Sequence, residues 1–562
     1  MIFETKLLSS LEKVFSSKAP EAEEFSSFSC LKGERFSFQL AMMFDLDAQE
    51  RAAIRTPRES KAISILEVKA KLSSPFGGNV YAVEDIPVEF PCYIHSDDYF
   101  ISREPGLYPD ILRDIKTRKD GIRLYFGKWR SLWVEVDVPA DCEAGEKELI
   151  LSLTTEEGEI LAERSFTLNV IDALLPKQDL KCTLWFHNDA LVDWYQVPVF
   201  SDEYWKILNN YMANFRRYGC NMILTPIFTP PLDTAIGGER TTIQLIDVTK
   251  TENGYEFGFD KLGRYIDLAH ENGIEYFEIA HLFTQWGAKA TPKIVTTEGE
   301  RIFGWDVSAT GGEYEAFVIP MLRALKAYLK EKGVLDNCYF HISDEPVPEN
   351  LDTYMAAHAI VCDELSDCHV MDALSHPRFY EEGLVRLPIA SNTHVQEFID
   401  RNISPLWTYY CCGQSAEYEA NRFIAMPSAR SRILGIQLFK YDIDGFLQWG
   451  YNFWNSRLSL QQLNPYHSSD ADYGYPSGDS TIVYPGDDGA PVISLRQIVF
   501  NEAFQDLRAL RLLEKYMGHS DIVVWLEELS GQPFTFTDYP HGSEYLLFIR
   551  EAINSKIAEF TA

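Results

Sequence analysis

The sequence predicts a multidomain chain of all-β and α/β parts: an N-terminal β-sandwich, a (β/α)8 TIM-like barrel and a C-terminal helical extension. Three observations predict it. Over residues 1–175, apolar and polar residues alternate in short runs broken by Gly, Pro and Asp, which marks half-buried antiparallel strands. From residue 176 onward, strand-like runs alternate with amphipathic helical ones. Each such unit forces parallel pairing, because the helix returns over the strand it follows. At 562 residues the chain also exceeds one hydrophobic core, so two or three domains are expected.

In the first part, Arg35-Phe36-Ser37-Phe38-Gln39-Leu40, Ile63-Ser64-Ile65-Leu66-Glu67-Val68 and Ser131-Leu132-Trp133-Val134-Glu135-Val136 each alternate with period two. Several such runs before residue 175 argue for a sandwich. Leu174-Leu175-Pro176-Lys177-Gln178-Asp179 reads as a linker. Barrel strands are then expected at 182–186, 221–225, 276–280, from 338 toward the acids at 344, and at 369–374, 388–392, 405–411 and 445–453. Helices are expected at 203–218, 260–272, 314–332 and 351–365. The long loop 228–253 has room to wall a pocket. Arg496, Phe500, Phe504, Leu507, Leu510 and Leu513 recur at helical spacing, predicting a helix from 495 that covers the eighth strand. The expected domain limits are 1–175, 176–515 and 516–562, the last a small helical appendage. An open doubly wound sheet is the alternative, but no Gly-x-Gly-x-x-Gly turn supports it, and no cofactor is expected.

A net charge of −33 repels phosphate backbones and anionic membranes, so a nucleic-acid partner is not expected. The substrate is then neutral or cationic, or sits where the local field differs. The N-terminus carries no apolar run of signal-peptide length, and no segment approaches the roughly 20 apolar residues of a membrane span. Ten cysteines, including the vicinal pair Cys411-Cys412, show no Cys-x-x-Cys and no regular framework, which suits a reducing cytoplasm.

Cys338-Tyr339-Phe340-His341-Ile342-Ser343-Asp344-Glu345-Pro346 is the most informative stretch: an apolar strand that ends in two carboxylates and a proline. Burying charge costs several kcal/mol unless it is paired or used. The pair therefore caps and anchors a loop or serves acid/base chemistry, and the strand end favours the second. In a barrel, strand ends from distant parts of the chain meet at one face. Those ends carry His187, Asn188 and Asp189; Asp233; His281, Gln285 and Trp286; His341; Asp372; His394; Trp407, Tyr409 and Tyr410; and the run Gln448-Trp449-Gly450-Tyr451-Asn452-Phe453-Trp454. Rings mixed with amides and carboxylates suit neutral sugars, whose C–H faces pack on rings while their hydroxyls take directional hydrogen bonds. No short His-x-His or His-x-x-x-His spacing marks a metal, so none is expected, and no Gly-x-Ser-x-Gly elbow marks a nucleophilic serine. Most glycosidases use two carboxyls from different strands. Neighbouring acids suit a variant in which a 2-acetamido oxygen of the substrate attacks the anomeric carbon. Pairing Glu345 with Asp372 or Asp189 is the two-carboxylate alternative, and a barrel that binds sugar without turnover is the non-enzymatic one.

Phe340-His341-Ile342-Ser343-Asp344-Glu345-Pro346 resembles the catalytic signature of glycoside hydrolase family 123, the β-N-acetylgalactosaminidases. His281-Leu282-Phe283-Thr284-Gln285-Trp286-Gly287-Ala288, Thr229-Pro230-Pro231-Leu232-Asp233-Thr234 and Gly489-Ala490-Pro491-Val492-Ile493-Ser494-Leu495-Arg496 are similar to its other segments. The resemblance implies a sandwich followed by a barrel. It also implies exo-acting, retaining, substrate-assisted release of terminal β-linked N-acetylgalactosamine from an oligosaccharide or glycoconjugate. Asp344 would orient the acetamido group and Glu345 would be the general acid/base. Strand-end positions add Asn188, Trp286, Trp449 and Trp454 for the sugar and Tyr409 for the acetamido carbonyl. One departure falls in the closing helix, where Asn501-Glu502-Ala503-Phe504-Gln505-Asp506-Leu507 lacks the family's glycine-aspartate.

Overall fold

Eight short parallel strands position the site: β1 (Lys181–Leu184), β2 (Met222–Thr225), β3 (Tyr276–Ile279), β4 (Cys338–Phe340), β5 (His369–Leu374), β6 (Leu387–Ser391), β7 (Trp407–Tyr409) and β8 (Gly445–Gln448). The structure is a computed structural model describing residues 1–56, 64–117 and 121–561. The ladder runs β1-β8-β7-β6-β5-β4-β3-β2. The remaining seam, between β1 and β2, is bridged by one residue. Asn221 N–H donates to the Cys182 carbonyl at 3.2 Å. Its side-chain oxygen accepts from Cys182 N at 2.8 Å, and its amide donates to the Leu180 carbonyl at 3.1 Å. An asparagine side chain here imitates the missing strand partner and satisfies the edge.

Helices cover the strands as their periodicity predicts. Asp202–Arg217 starts at Ser201, whose hydroxyl accepts from Tyr204 N, and buries Tyr204, Leu208, Tyr211, Met212 and Phe215 along one stripe. Asp260–Glu271, Gly312–Glu331 and Leu351–Val361 follow β2, β3 and β4. Leu495–Leu513 is capped by Ser494 and buried on nearly every side, and it lays Phe500 and Phe504 against Phe446 of β8.

Several strands are shorter than the sequence suggests: β1 ends at Leu184 rather than 186, and β7 spans Trp407–Tyr409 rather than 405–411. The expected strand at 445–453 stops at Gln448, because Gly450 N–H turns back onto the Gln448 side-chain oxygen at 2.7 Å. Glycine is required there, since a Cβ would lie 2.4 Å from the Ser480 carbonyl oxygen. β4 ends at Phe340. Beyond it, Ile342 and Ser343 N–H donate to the Asp372 carboxylate rather than to a neighbouring strand.

The N-terminal part forms two sheets sharing an apolar core in which Phe38 stacks on Phe166 at 4.6 Å. Strand Ile65–Ser73 covers most of one expected run, whose first residue, Ile63, lies outside the described residues. The larger sheet is completed by Val483–Pro485 and Pro491–Ser494, which come from beyond the barrel strands. The last helix, Ser543–Thr561, packs on strands Ser27–Lys32 and Ile160–Leu174 as well as on Leu495–Leu513. No helix of the described residues is long and apolar enough to cross a membrane.

Candidate active site

Successive strand residues point to opposite faces, yet Asp344 and Glu345 line the same pocket. The backbone explains it. Glu345 adopts φ +41°, the left-handed region, where an L-residue is strained by roughly 1–3 kcal/mol. Pro346 bars the right-handed alternative. The Asp344 carbonyl accepts Trp286 N–H at 3.0 Å, and Trp286 itself sits at φ +58°. Two strained residues on neighbouring loops thus hold each other in place.

Beneath the acids lies a buried ion network. His341 Nε2 meets Glu278 Oε1 of β3 at 2.7 Å, and Nδ1 meets Asp372 Oδ1 of β5 at 3.0 Å. Thr183 and Trp185 each donate to Glu278 at 2.6 Å, and Tyr354 donates to Asp372. Burial alone would lower the imidazole pKa, but hydrogen bonds to Asp372 and Glu278 raise it to about 10. An imidazolium therefore underlies the pocket. His281 stacks on it at 4.2 Å and is kept neutral, first by burial and then by that charge.

Burial raises the pKa of Asp344 well above the ordinary carboxylate value, and the charge of Glu345 raises it further. Burial raises Glu345 too, while the Tyr409 hydroxyl, donating to Oε1 at 2.5 Å, pulls it back. Among the described residues no protein group hydrogen-bonds to the Asp344 carboxylate. Each carboxyl of a pair so placed holds its proton more firmly than an ordinary carboxyl.

The pocket has a volume of about 220 Å³. Trp185, Ala373 and Leu447 line it beside the acids, together with Trp286, Tyr409 and Trp449. Trp286 is 45% exposed, an unusual position for an indole that only packs. Trp449 donates to Asp479 at 2.9 Å, whose carboxyl burial raises to about 7. Asp233, Arg457, Leu458 and Tyr475, none of them assigned to the sugar from the sequence, also line it. Tyr475 donates to Asp233 Oδ1 at 2.6 Å, and Leu458 N–H to Oδ2 at 3.2 Å. Asp233 lies in a motif the sequence singled out, at the end of Pro230-Pro231-Leu232, whereas Tyr475 and Arg457 come from aperiodic loops that carry no strand-end signal.

Asn188 and Trp454, expected at the sugar, do not line this pocket. Asn188 begins a helix and accepts from the Tyr204 hydroxyl at 3.0 Å. Trp454 is buried against Trp194 and Tyr211, its indole N–H directed to Thr481 and Val483. The strand in each case ends sooner than expected, so these residues belong to the packing behind the mouth. Tyr409 lines the pocket, but its hydroxyl is engaged by Glu345 rather than free for an acetamido carbonyl. Asp372 is enclosed by His341, Tyr354 and two backbone amides, and Asp189 is held bidentately by Arg240 at 2.7 Å. Neither lines the pocket.

His281, His341 and Asp372 bring three metal-type donors within 4.8 Å. The donor set does not fit an ion. Both nitrogens of His341 and both oxygens of Asp372 already have hydrogen-bond partners, and parallel stacked rings do not converge their lone pairs on one point.

Acids at the carboxyl ends of parallel barrel strands, with ring faces beside them, are the equipment of enzymes that cleave glycosidic bonds. The family model of the glycoside hydrolase 123 catalytic domain matches residues 185–513. The chain belongs to glycoside hydrolase family 123 and is a glycosidase. A solved family 123 glycoside hydrolase from Clostridium perfringens superposes with a TM-score of 0.72 at 14% identity, covering 100% of this chain and 98% of that one. A β-glucuronidase from Parabacteroides merdae has a TM-score of 0.30 at 11% identity, covering 87% and 50%. No curated protein matches.

Proposed function

We propose that the chain is an exo-acting β-N-acetylgalactosaminidase, releasing terminal β-linked N-acetylgalactosamine with retention through the substrate's own acetamido group. The observation that carries this reading is the turn at Glu345, which sends two adjacent carboxyls into one pocket. The small volume, below the roughly 300–1,000 Å³ usual for drug-sized ligands, suits a single terminal ring. Trp286 and Trp449 offer faces to it, and Asp233, Arg457 and Tyr475 offer polar partners. Asn188 and Trp454 keep at most a supporting part in this reading.

The proton placement favours the assigned roles. In the free enzyme Tyr409 supports the ionised form of Glu345, so a proton held by the pair favours Asp344. An acetamido N–H donated to Asp344 favours its carboxylate and drives the proton onto Glu345. The acetamido oxygen then bonds to the anomeric carbon as the glycosidic C–O bond breaks, and the leaving oxygen takes the Glu345 proton. Asp344 stabilises the oxazolinium charge. Water next attacks the anomeric carbon, giving its proton to Glu345 and displacing the acetamido oxygen, which restores the original configuration.

Assay with aryl and alkyl N-acetylgalactosaminides tests this. Glu345→Gln is expected to lose roughly 10²–10⁴-fold on poor leaving groups and less on good ones, while Asp344→Asn loses activity on both. Equal cleavage of a substrate lacking the 2-acetamido group, or a stable adduct with a 2-fluoro sugar, would establish a protein nucleophile instead. No turnover of either epimer's aryl N-acetylhexosaminide would leave a sugar-binding barrel. The Clostridium perfringens relative is described through glycolipid glycan hydrolysis, so glycolipid glycans belong in the same screen.

A further inference from the structure

A second cavity, about 280 Å³, lies where the N-terminal sheets, the linker, the barrel and the closing helix meet. Five cationic side chains line it, Arg35, Lys177, Arg216, Arg217 and Arg508, against two carboxylates. In a chain of net charge −33 this is a local reversal of sign. Part of this charge is paired, since Arg35 and Arg217 both meet the fully buried Glu135. Asp137 is held by Arg35 at 2.8 Å and Arg217 at 3.0 Å, and Glu34 by Arg550 at 2.6 Å. Lys177 pairs with Glu275 at 2.5 Å.

Arg216 and Arg508 are left over. Each spends Nε on a backbone carbonyl, of Gly273 at 2.9 Å and of Pro176 at 2.6 Å, and among the described residues neither meets a carboxylate. Burial, with the charges of Arg216, Arg550 and Arg35, holds the Arg508 guanidinium down to about 10 against the pull of Glu34. A third group lines the same cavity: Asn501, only 6% exposed, brings a side-chain amide to it. Asn501 also opens the segment of the closing helix that departs from the family pattern.

We infer that this cavity binds a tetrahedral oxyanion, a phosphate or sulfate group, held by Arg216, Arg508 and the Asn501 amide at the junction of the N-terminal sheets and the barrel. Guanidinium forks match such oxygens bidentately. The cavity exceeds one small ion, so the group is either free or esterified to a sugar. Occupancy would tie the linker, the barrel and the closing helix together and raise the stability of the folded chain by mass action.

The test uses the full chain, with melting temperature and calorimetric titration read at constant ionic strength set with potassium chloride. Potassium phosphate and potassium sulfate are expected to raise the melting temperature saturably. Arg508→Gln and Arg216→Gln are each expected to weaken binding at least tenfold, with aryl-glycoside turnover unchanged. Asn501→Ala weakens it less. Glucose 6-phosphate binding at least tenfold tighter than inorganic phosphate identifies an ester, and weaker binding identifies the free ion. A response to potassium acetate equal to that to potassium sulfate overturns the inference. So does an unchanged response in both Arg216→Gln and Arg508→Gln; if Arg508→Gln does not fold, the half-buried Arg216 decides.

Discussion

Glu345 is strained because two requirements meet at one residue. Its strand must end so that Asp344 reaches the pocket mouth, and its own side chain must return to the same side. The left-handed φ of +41° meets both, and the Tyr409 hydrogen bond then fixes where the carboxyl points. That bond favours the ionised form, so Tyr409→Phe raises the Glu345 pKa. The basic limb of the kcat/KM profile, where the acid loses its proton, is expected to move up by roughly one unit, since a hydrogen bond to a charged group contributes about 1.5–3 kcal/mol and one unit corresponds to about 1.4. A pH series on the variant checks it, and a limb that stays or moves down removes Tyr409 from this role. At this scale the sequence was legible where chemistry coincides with a strand end. Asp344, Glu345, Trp286, Tyr409 and Trp449 follow from that rule and line one pocket. Asn188 and Trp454 follow from it too and lie elsewhere, because two strands stop early. Tyr475 and Arg457 sit on loops whose path depends on tertiary contacts.

Among the elements, β3, β4 and β5 are bound by His341, which sets one positive charge between two buried carboxylates. Its folded pKa, about 10, is above the unfolded value of roughly 6.5. The stability it contributes is therefore fully present below about pH 6.5 and is lost as pH rises through about 10. The melting temperature is expected to fall across that window in the parent. His341→Gln is expected to start lower and to lose that share of the slope, which paired thermal melts from pH 6 to 10.5 would show. The seam offers a second check. Asn221→Ala removes the two side-chain hydrogen bonds that bridge β1 and β2 and keeps the backbone one, and a loss of about 2–3 kcal/mol is expected at roughly 1 kcal/mol each plus the unsatisfied Cys182 N–H. Denaturant titration measures it. The barrel strands and their helices were readable because each carries its own period of two or 3.6. The seam was not, because a side chain that imitates a strand has no period.

Across the whole molecule, the N-terminal sheets and the barrel are joined by buried ions rather than by a loose linker. Arg496 of the closing helix meets Asp110 of strand Gly106–Asp114 through two bonds of 2.8 and 2.9 Å, and Tyr484 donates to the same carboxylate at 2.6 Å. Arg550 of the last helix joins Asp506 at 2.7 Å to Glu34 at 2.6 Å, and Asn554 donates to Ser29. The C-terminal extension, which reads in sequence as an appendage, thereby ties the first sheets to the closing helix. Long-range pairs of this kind leave no local pattern, and only the folded chain displays them. Asp110→Ala would leave a buried guanidinium without its carboxylate, at a cost of about 3–5 kcal/mol. Because strands from both sides of the barrel complete one sheet, that loss should fall on the whole chain. Calorimetry is expected to show one transition in the parent and one, at lower temperature, in Asp110→Ala. Two separated transitions, with only the first displaced, would mean that the N-terminal sheets fold independently and that the shared strands couple them only weakly.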